Sequence, residues 1–380
     1  MKMRKLRIGI DGRSLSKPLT GIGRYAYELC RELGKIVKNA EFFLYSHLPI
    51  EPENLPHAHW IQRVDSNPMS KHMSSYVWLK LRCGSLCRKD ELDIFWATAT
   101  LLPKLSKHVA SVVTVHDLNY LIVPETMPPL NLWSHRIWFK NDVKKADIIL
   151  ANSKATSNRL YTAIRRRASA VVYPGVADFF EPKGKEEISR CLKKYNIQGP
   201  YLLAVGTQEP RKNLELLLLS FSDLKKRKAL NNYKLAIVGS SGWKTRKTRK
   251  LLSVQNNEDI HQLGYVPECD LPALYSGSDL FIFPSIYEGF GMPVSEARAC
   301  GARIVTTDIP ELREAGGADA YYIRPTLNGI KEGIIEALSS KWEKSESAFE
   351  NRYSWRASAE ILANNLLLAH EFKKQKYPAG

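Results

Sequence analysis

No stretch of this 380-residue chain approaches the roughly 20 apolar residues a helix needs to span a bilayer. Its opening run, MKMRKLRIGIDGR, holds only a few apolar residues before it reads as a strand. It does not look like a secretory leader, and the expected location is the cytoplasm. Cysteine is sparse and unpatterned, with Cys30, Cys83, Cys87, Cys191, Cys269 and Cys300 scattered along the chain. Only Cys83 and Cys87 are close, and no second Cys or His pair backs them. That argues against a structural zinc site and leaves reduced, mostly structural thiols. Acidic residues are short too: 39 Asp and Glu stand against 56 Lys and Arg, a formal net charge of +17.

Basic surfaces favour nucleic acid, anionic lipid or phosphorylated ligands. Clusters at 165–167, 225–228 and 244–250 are, one at a time, ordinary solvated faces. Tyr76, Trp78 and Leu79 lie between Lys71, Lys80 and Arg82, a mixture that suggests peripheral contact with an anionic membrane. Nucleic acid is not expected. No recognition motif appears, and the basic runs lack regular aromatic interleaving.

What is present begins with an ordinary globular composition, 44% hydrophobic and 25% charged, in a chain too long for one usual core. Apolar runs read as strands from Arg7, Glu41, Asp93, Ser111, Asp147 and Ala170, with helical patterns between several of them. After a charged interval near 179–200 the alternation resumes: YLLAVGT, KLAIVGS, DIHQLGYV, DLFIFPS, ARIVTTD and AYYIRP. Alternating strands and helices imply mainly parallel sheets. The expected domains are residues 1–176 and 177–352, each Rossmann-like, with a C-terminal amphipathic helix in 353–380. Ligands of such sheets bind outside the carboxyl ends of the strands.

The most informative segment is FPSIYEGFGMPVSEARACG. An apolar strand from Leu280 to Phe283 gives way to a turn containing Gly289 and Gly291. Pro293 then suits a first helical position, and Gly301 the place just past the end. Glu288 precedes the turn and Glu296 lies one helical turn inside. Two carboxylates held there can accept hydrogen bonds from several hydroxyls of a sugar ring or a ribose. Upstream, VGTQEPRKN joins a buried strand to the helix NLELLLLSF. Arg211 and Lys212 beside a helix start suit a diphosphate, since Arg binds bidentately and Lys adds a point charge.

In the first half, TGIGRYA carries Gly21, Gly23 and Ala26 in a dinucleotide-like pattern. The glycines come seven or more residues after the strand, and the second strand ends without an acid, so a nicotinamide-dinucleotide site fits poorly. A glycine loop open to a ligand fits better. His116, at the end of SVVTVHDL, is followed by Asp117, which could orient it.

These segments closely resemble the motifs of retaining glycosyltransferases of the GT-B fold, specifically glycosyltransferase family four, group 1. The likeness covers nearly the whole chain, and TVHDLNYLIVPE is most similar to mannosyl- and rhamnosyl-type members. It implies an α/β GT-B fold, two Rossmann-like domains facing across a cleft, with the C-terminal helix crossing back to the first. It also implies a role for each motif. Glu288 would meet the donor sugar and Glu296 the ribose, with Gly289, Phe290, Gly291 and Met292 between them. Arg211 and Lys212 would take the diphosphate, and Val266 in GYVP the base, through its main chain. Gly21 and Gly23 would form the loop near donor and acceptor, and His116 would contact the transferred sugar. Some members place Arg directly after the first Gly of the phosphate loop. Here Thr207 stands there, which leaves Arg211 and Lys212 to meet the diphosphate. The implied substrate is a nucleotide-diphosphate sugar, preferably GDP-mannose, and the acceptor a glycan or lipid-linked glycan. No cofactor and no metal are expected: fixed cations replace a divalent ion, and no Asp-x-Asp motif occurs. The alternatives are an epimerase-like enzyme on a nucleotide sugar and a basic nucleic-acid- or membrane-binding protein without catalysis.

Overall fold

The computed structural model describes residues 4–16, 19–254, 258–341 and 353–377. They divide into two compact units. The first contains residues up to Leu118, then Pro129–Gly175, and the C-terminal helix Trp355–Lys376. The second contains Asn119–Pro128 and the described residues from Val176 to Lys341.

In the first unit the strands are β1 (Leu6–Asp11), β2 (Ala40–Ser46), β3 (Ile61–Val64), β4 (Ile94–Ala97), β5 (Ala110–Val115), β6 (Ile148–Ala151) and β7 (Ala170–Val171). They form one sheet in the order β3-β2-β1-β4-β5-β6-β7, with parallel pairing throughout. Every residue of β4, β5 and β6 is buried, as expected of strands covered by helices on both faces. The helix Trp355–Lys376 buries Ala359, Leu362, Leu366 and Ala369 at helical spacing and packs on the helix Gly21–Ile36 and on β5.

The second unit holds β8 (Tyr201–Val205), β9 (Lys234–Val238), β10 (Ile260–Gly264), β11 (Leu280–Phe283), β12 (Ile304–Thr307) and β13 (Tyr321–Ile323). Their order is β10-β9-β8-β11-β12-β13, again parallel. One core cluster joins Leu202, Ile237 and Ile282 of the sheet to Leu217 and Phe221 of the helix Leu214–Lys226 and to Ile330 and Ile334 of the helix Leu327–Ser339. Among the described residues no helix is long and apolar enough to cross a membrane.

Four departures from the sequence reading have local causes. β3 lies in IQRV, a polar-apolar mixture whose four residues are all half-buried. The run from Ala170 yields only two strand residues, and Pro174, which has no N–H for a ladder, soon follows. Within the charged interval 179–200 lies a helix, Lys185–Lys194, with acids in its first turn and lysines in its last. Most consequentially, Trp78 and Leu79 are buried, not on a membrane-facing surface. The Trp78 indole donates to Asp65, and Arg82 pairs with the same carboxylate at 3.0 Å.

Candidate functional site

β8 and β11 are neighbours, but the chain leaves β8 toward β9 and β11 toward β12 on the other side. Such a reversal opens a crevice at the strands' carboxyl ends. The loops that follow these two strands carry the cluster. After β8, Pro210 starts a tight turn, Pro210–Lys212, and Asn213 adopts a left-handed conformation at φ 58° before the helix Leu214–Lys226. The loop after β11 is stitched to this turn by the Ile286 N–H, which donates to the Arg211 carbonyl at 2.8 Å.

Arg211 Nη1 donates to Glu288 Oε2 at 2.5 Å and to the Tyr287 carbonyl at 3.0 Å. Its Nη2 donates to Glu209 Oε1 at 2.5 Å. Lys212 Nζ donates to the other Glu288 oxygen at 2.7 Å and lies 4.6 Å from the centre of the Phe283 ring. Each oxygen of Glu288 therefore holds one cation. Glu288 is 5% exposed and Glu209 7%. Burial pushes the Glu288 carboxyl up, but the charges of Arg211 and Lys212 outweigh it and hold it down at about 2. At neutral pH it is a carboxylate that only accepts. Lys212 also lines a small cleft with Gly206, Thr207, Gln208 and Pro284 at the ends of these strands.

The helix Met292–Ala299 starts where Gly291 turns the chain at φ 98°. A Cβ there would lie 2.5 Å from Leu312 Cδ2, so both backbone and space demand glycine. Pro293 has no N–H, and the Val294 N–H already donates to the Gly291 carbonyl at 2.9 Å. The helix start can therefore offer a ligand the N–H groups of Gly291 and Met292. Gly301 stands just past the end at φ 66°, as the sequence predicts. Glu296 is buried, with the Tyr275 hydroxyl donating to Oε2 at 3.2 Å. The side chains of Phe290 and Val266 belong to the core, which leaves their main chains as what they can present.

In the first unit, His116 follows β5 and is buried. Its Nε2 lies 2.6 Å from the Thr98 carbonyl, so Nε2 carries the proton and Nδ1 is the acceptor. Burial lowers its pKa, only partly opposed by that hydrogen bond and by Asp117. The ring of Tyr25 meets it edge-on at 4.9 Å. Tyr25 belongs to TGIGRYA, which from Gly21 onward is the first turns of a helix and not the open glycine loop expected from the sequence, and it supplies a wall for the histidine. Gly21 and Gly23 begin the helix Gly21–Ile36, and a Cβ on Gly23 would sit 2.7 Å from the Ser14 carbonyl.

Arg211, Lys212 and Glu288 are thus joined directly, while Glu296 lies about one turn inside the helix Met292–Ala299. Sequence reading missed Glu209, Tyr275 and Tyr25. Only Glu209 left a signal: a carboxylate two residues from Arg211 in a turn can reach it. Tyr275 and Tyr25 act across distances in sequence that no local pattern reveals.

Two parallel α/β units of this order, with cations and a buried carboxylate at the switch point of the second, define a GT-B glycosyltransferase architecture. Residues 19–178 match Glycosyltransferase Family 4 and residues 187–355 match Glycosyl transferases group 1. The chain belongs to these glycosyltransferases. It is 28% identical over 352 residues to the O-antigen chain mannosyltransferase B of Escherichia coli, covering 87% of this chain and 90% of that protein. It is 28% identical over 265 residues to the O-antigen chain mannosyltransferase RfbU of Salmonella typhimurium, covering 68% and 67%. The crystal structure of HepE from Anabaena in complex with UDP-glucose shares the fold, with a TM-score of 0.69 at 15% identity over 98% of this chain and 99% of that one.

Proposed function

We propose that this glycosyltransferase moves a hexose, with retention of anomeric configuration and without a divalent metal, from a nucleotide-diphosphate sugar to a hydroxyl of a glycan or lipid-linked glycan. The observation that carries this reading is the convergence of Arg211, Lys212 and Glu288 at one end of β8 and β11. Two cations are what a departing diphosphate needs, and a buried carboxylate that stays ionised is what sugar hydroxyls need. Mannose from GDP-mannose is the preferred donor. Both O-antigen mannosyltransferases above support the sugar, and with it a place in cell-surface polysaccharide synthesis.

The bond from the anomeric carbon to the diphosphate oxygen breaks, and one to the acceptor oxygen forms on the same face. The acceptor's proton passes to the departing phosphate oxygen, so no protein carboxylate acts as a covalent nucleophile. Arg211 and Lys212 take up the charge developing on the diphosphate, aided by the N–H groups at the start of Met292–Ala299. Glu288 holds sugar hydroxyls and Glu296, steadied by Tyr275, the ribose. Gly21, Gly23, Gly289, Phe290 and Val266 contribute main chain to the ligands. His116 serves the transferred sugar, and its Nδ1 and main chain are what it has to offer, since Nε2 is committed to Thr98. On this reading the enzyme works in the cytoplasm at the inner face of a membrane, which a lipid-linked acceptor and the net charge of +17 support.

Arg211→Ala, Lys212→Ala and Glu288→Ala are each expected to cut turnover more than ~100-fold with the fold retained, the scale of one lost transition-state contact. Slow hydrolysis of an α-linked donor, followed by NMR before mutarotation, should release the α-sugar first. Release of the β-sugar, or near-normal turnover in any of the three variants, contradicts the reading.

A further inference from the structure

The helix Pro129–Lys145 is apolar on two sides. Inward it buries Phe139 and Val143, and Asp142, which accepts from Lys80 and from the Leu102 N–H at 3.0 Å. These contacts fix the helix to the body of the first unit. Outward it exposes Leu130 (51%), Trp133 (56%) and Ile137 (46%), at spacings of three and four residues that align them in one stripe. The same spacing continues to Lys140 and Lys144, both exposed, and Arg136 and Lys145 are exposed beside them. Asp142 is the only acid of this helix, and it is buried, so every exposed charge on it is positive.

A helix ordinarily turns one apolar face inward and leaves the other polar. A second apolar stripe, rimmed by cations and carrying a Trp, suits the boundary where lipid headgroups meet acyl chains. We propose that this face is where the enzyme docks on an anionic bilayer: Leu130, Trp133 and Ile137 enter the headgroup region, and Arg136, Lys140 and Lys144 meet its negative charge. A second copy of the chain is a poorer occupant, because it would bring the same basic helix, on a chain of net charge +17, against itself. The inference deepens the functional reading by naming the surface through which a membrane-held acceptor would be reached. It also moves membrane contact away from Trp78 and Leu79, which are buried.

The test is co-sedimentation of the full chain, without donor, with vesicles of equal parts phosphatidylglycerol and phosphatidylcholine and with vesicles of phosphatidylcholine alone. The protein is expected to bind the mixed vesicles and not the neutral ones, and to be released as salt rises. The triple variant Leu130→Gln/Trp133→Gln/Ile137→Gln and the double variant Lys140→Glu/Lys144→Glu should each lose binding while keeping the wild-type circular dichroism. Lys247→Glu/Lys250→Glu, in the exposed basic helix Arg246–Val254, should keep it. Retained binding in both variants of the Pro129–Lys145 helix overturns the proposal. So does its loss in the Lys247/Lys250 variant alone, or a dimer in solution that the triple variant dissolves. Donor hydrolysis measured without vesicles reports separately on the proposed reaction. The three variants are expected to leave it unchanged.

Discussion

Glu288 carries a cation on each oxygen, so a diphosphate must compete with it for Arg211 and Lys212. Glu288→Gln removes that competing charge. Calorimetry with inorganic pyrophosphate should therefore show tighter binding in the variant even though donor turnover falls; weaker binding would mean Glu288 and the diphosphate do not share these cations. The same pairing has a signature in acid. The Glu288 pKa is depressed from an ordinary 4.5 to about 2, so its contribution to stability, on the order of 3 kcal/mol, is fully present above pH 4.5 and lost as pH falls toward 2. Urea unfolding across that window should show wild type losing more stability than Glu288→Gln; parallel losses would contradict the ion-pair assignment. At this scale the sequence was legible where a motif fixes spacing, as for Glu288, Arg211 and Lys212. It was not legible for Tyr275, which comes 21 residues before Glu296 and meets it only because the two helices pack together.

Among elements, the turn into Met292–Ala299 is the most constrained. Gly291→Ala adds a Cβ at φ 98° and 2.5 Å from Leu312, so thermal unfolding should reveal a loss of about 1–3 kcal/mol. An unchanged midpoint would show that this turn is not held as described. Strong apolar runs gave their strands plainly, because burial on both faces leaves little choice of residue. IQRV did not, since β3 at the sheet's edge is only half-buried and tolerates Gln and Arg. The run around Trp78 looked like a surface for a comparable reason. Local charge pattern does not tell that Arg82 is spent on Asp65 and Lys80 on Asp142, 62 residues away.

Over the whole molecule, the repeated strand-helix alternation made two parallel-sheet units readable, but not which unit each segment joins. Asn119–Pro128 groups with the second unit, where the Trp243 indole donates to the Thr126 carbonyl at 2.7 Å and Lys244 to the Glu125 carbonyl at 2.6 Å. Contacts across 117 and 119 residues leave no trace in periodicity. The helix Trp355–Lys376 is in turn part of the first unit's core. Truncation before Trp355 should strip Leu362 and Leu366 from that core and yield insoluble protein; a soluble product with native circular dichroism would contradict that role. The central claim, a metal-independent transferase fed by a nucleotide sugar, is tested most directly by binding and slow hydrolysis across GDP-, UDP-, dTDP- and ADP-sugars, each with and without EDTA. Selective binding of GDP-mannose, insensitive to EDTA and accompanied by release of free mannose, is the predicted result. Binding that EDTA abolishes, or no binding of any donor by the folded protein, would contradict it.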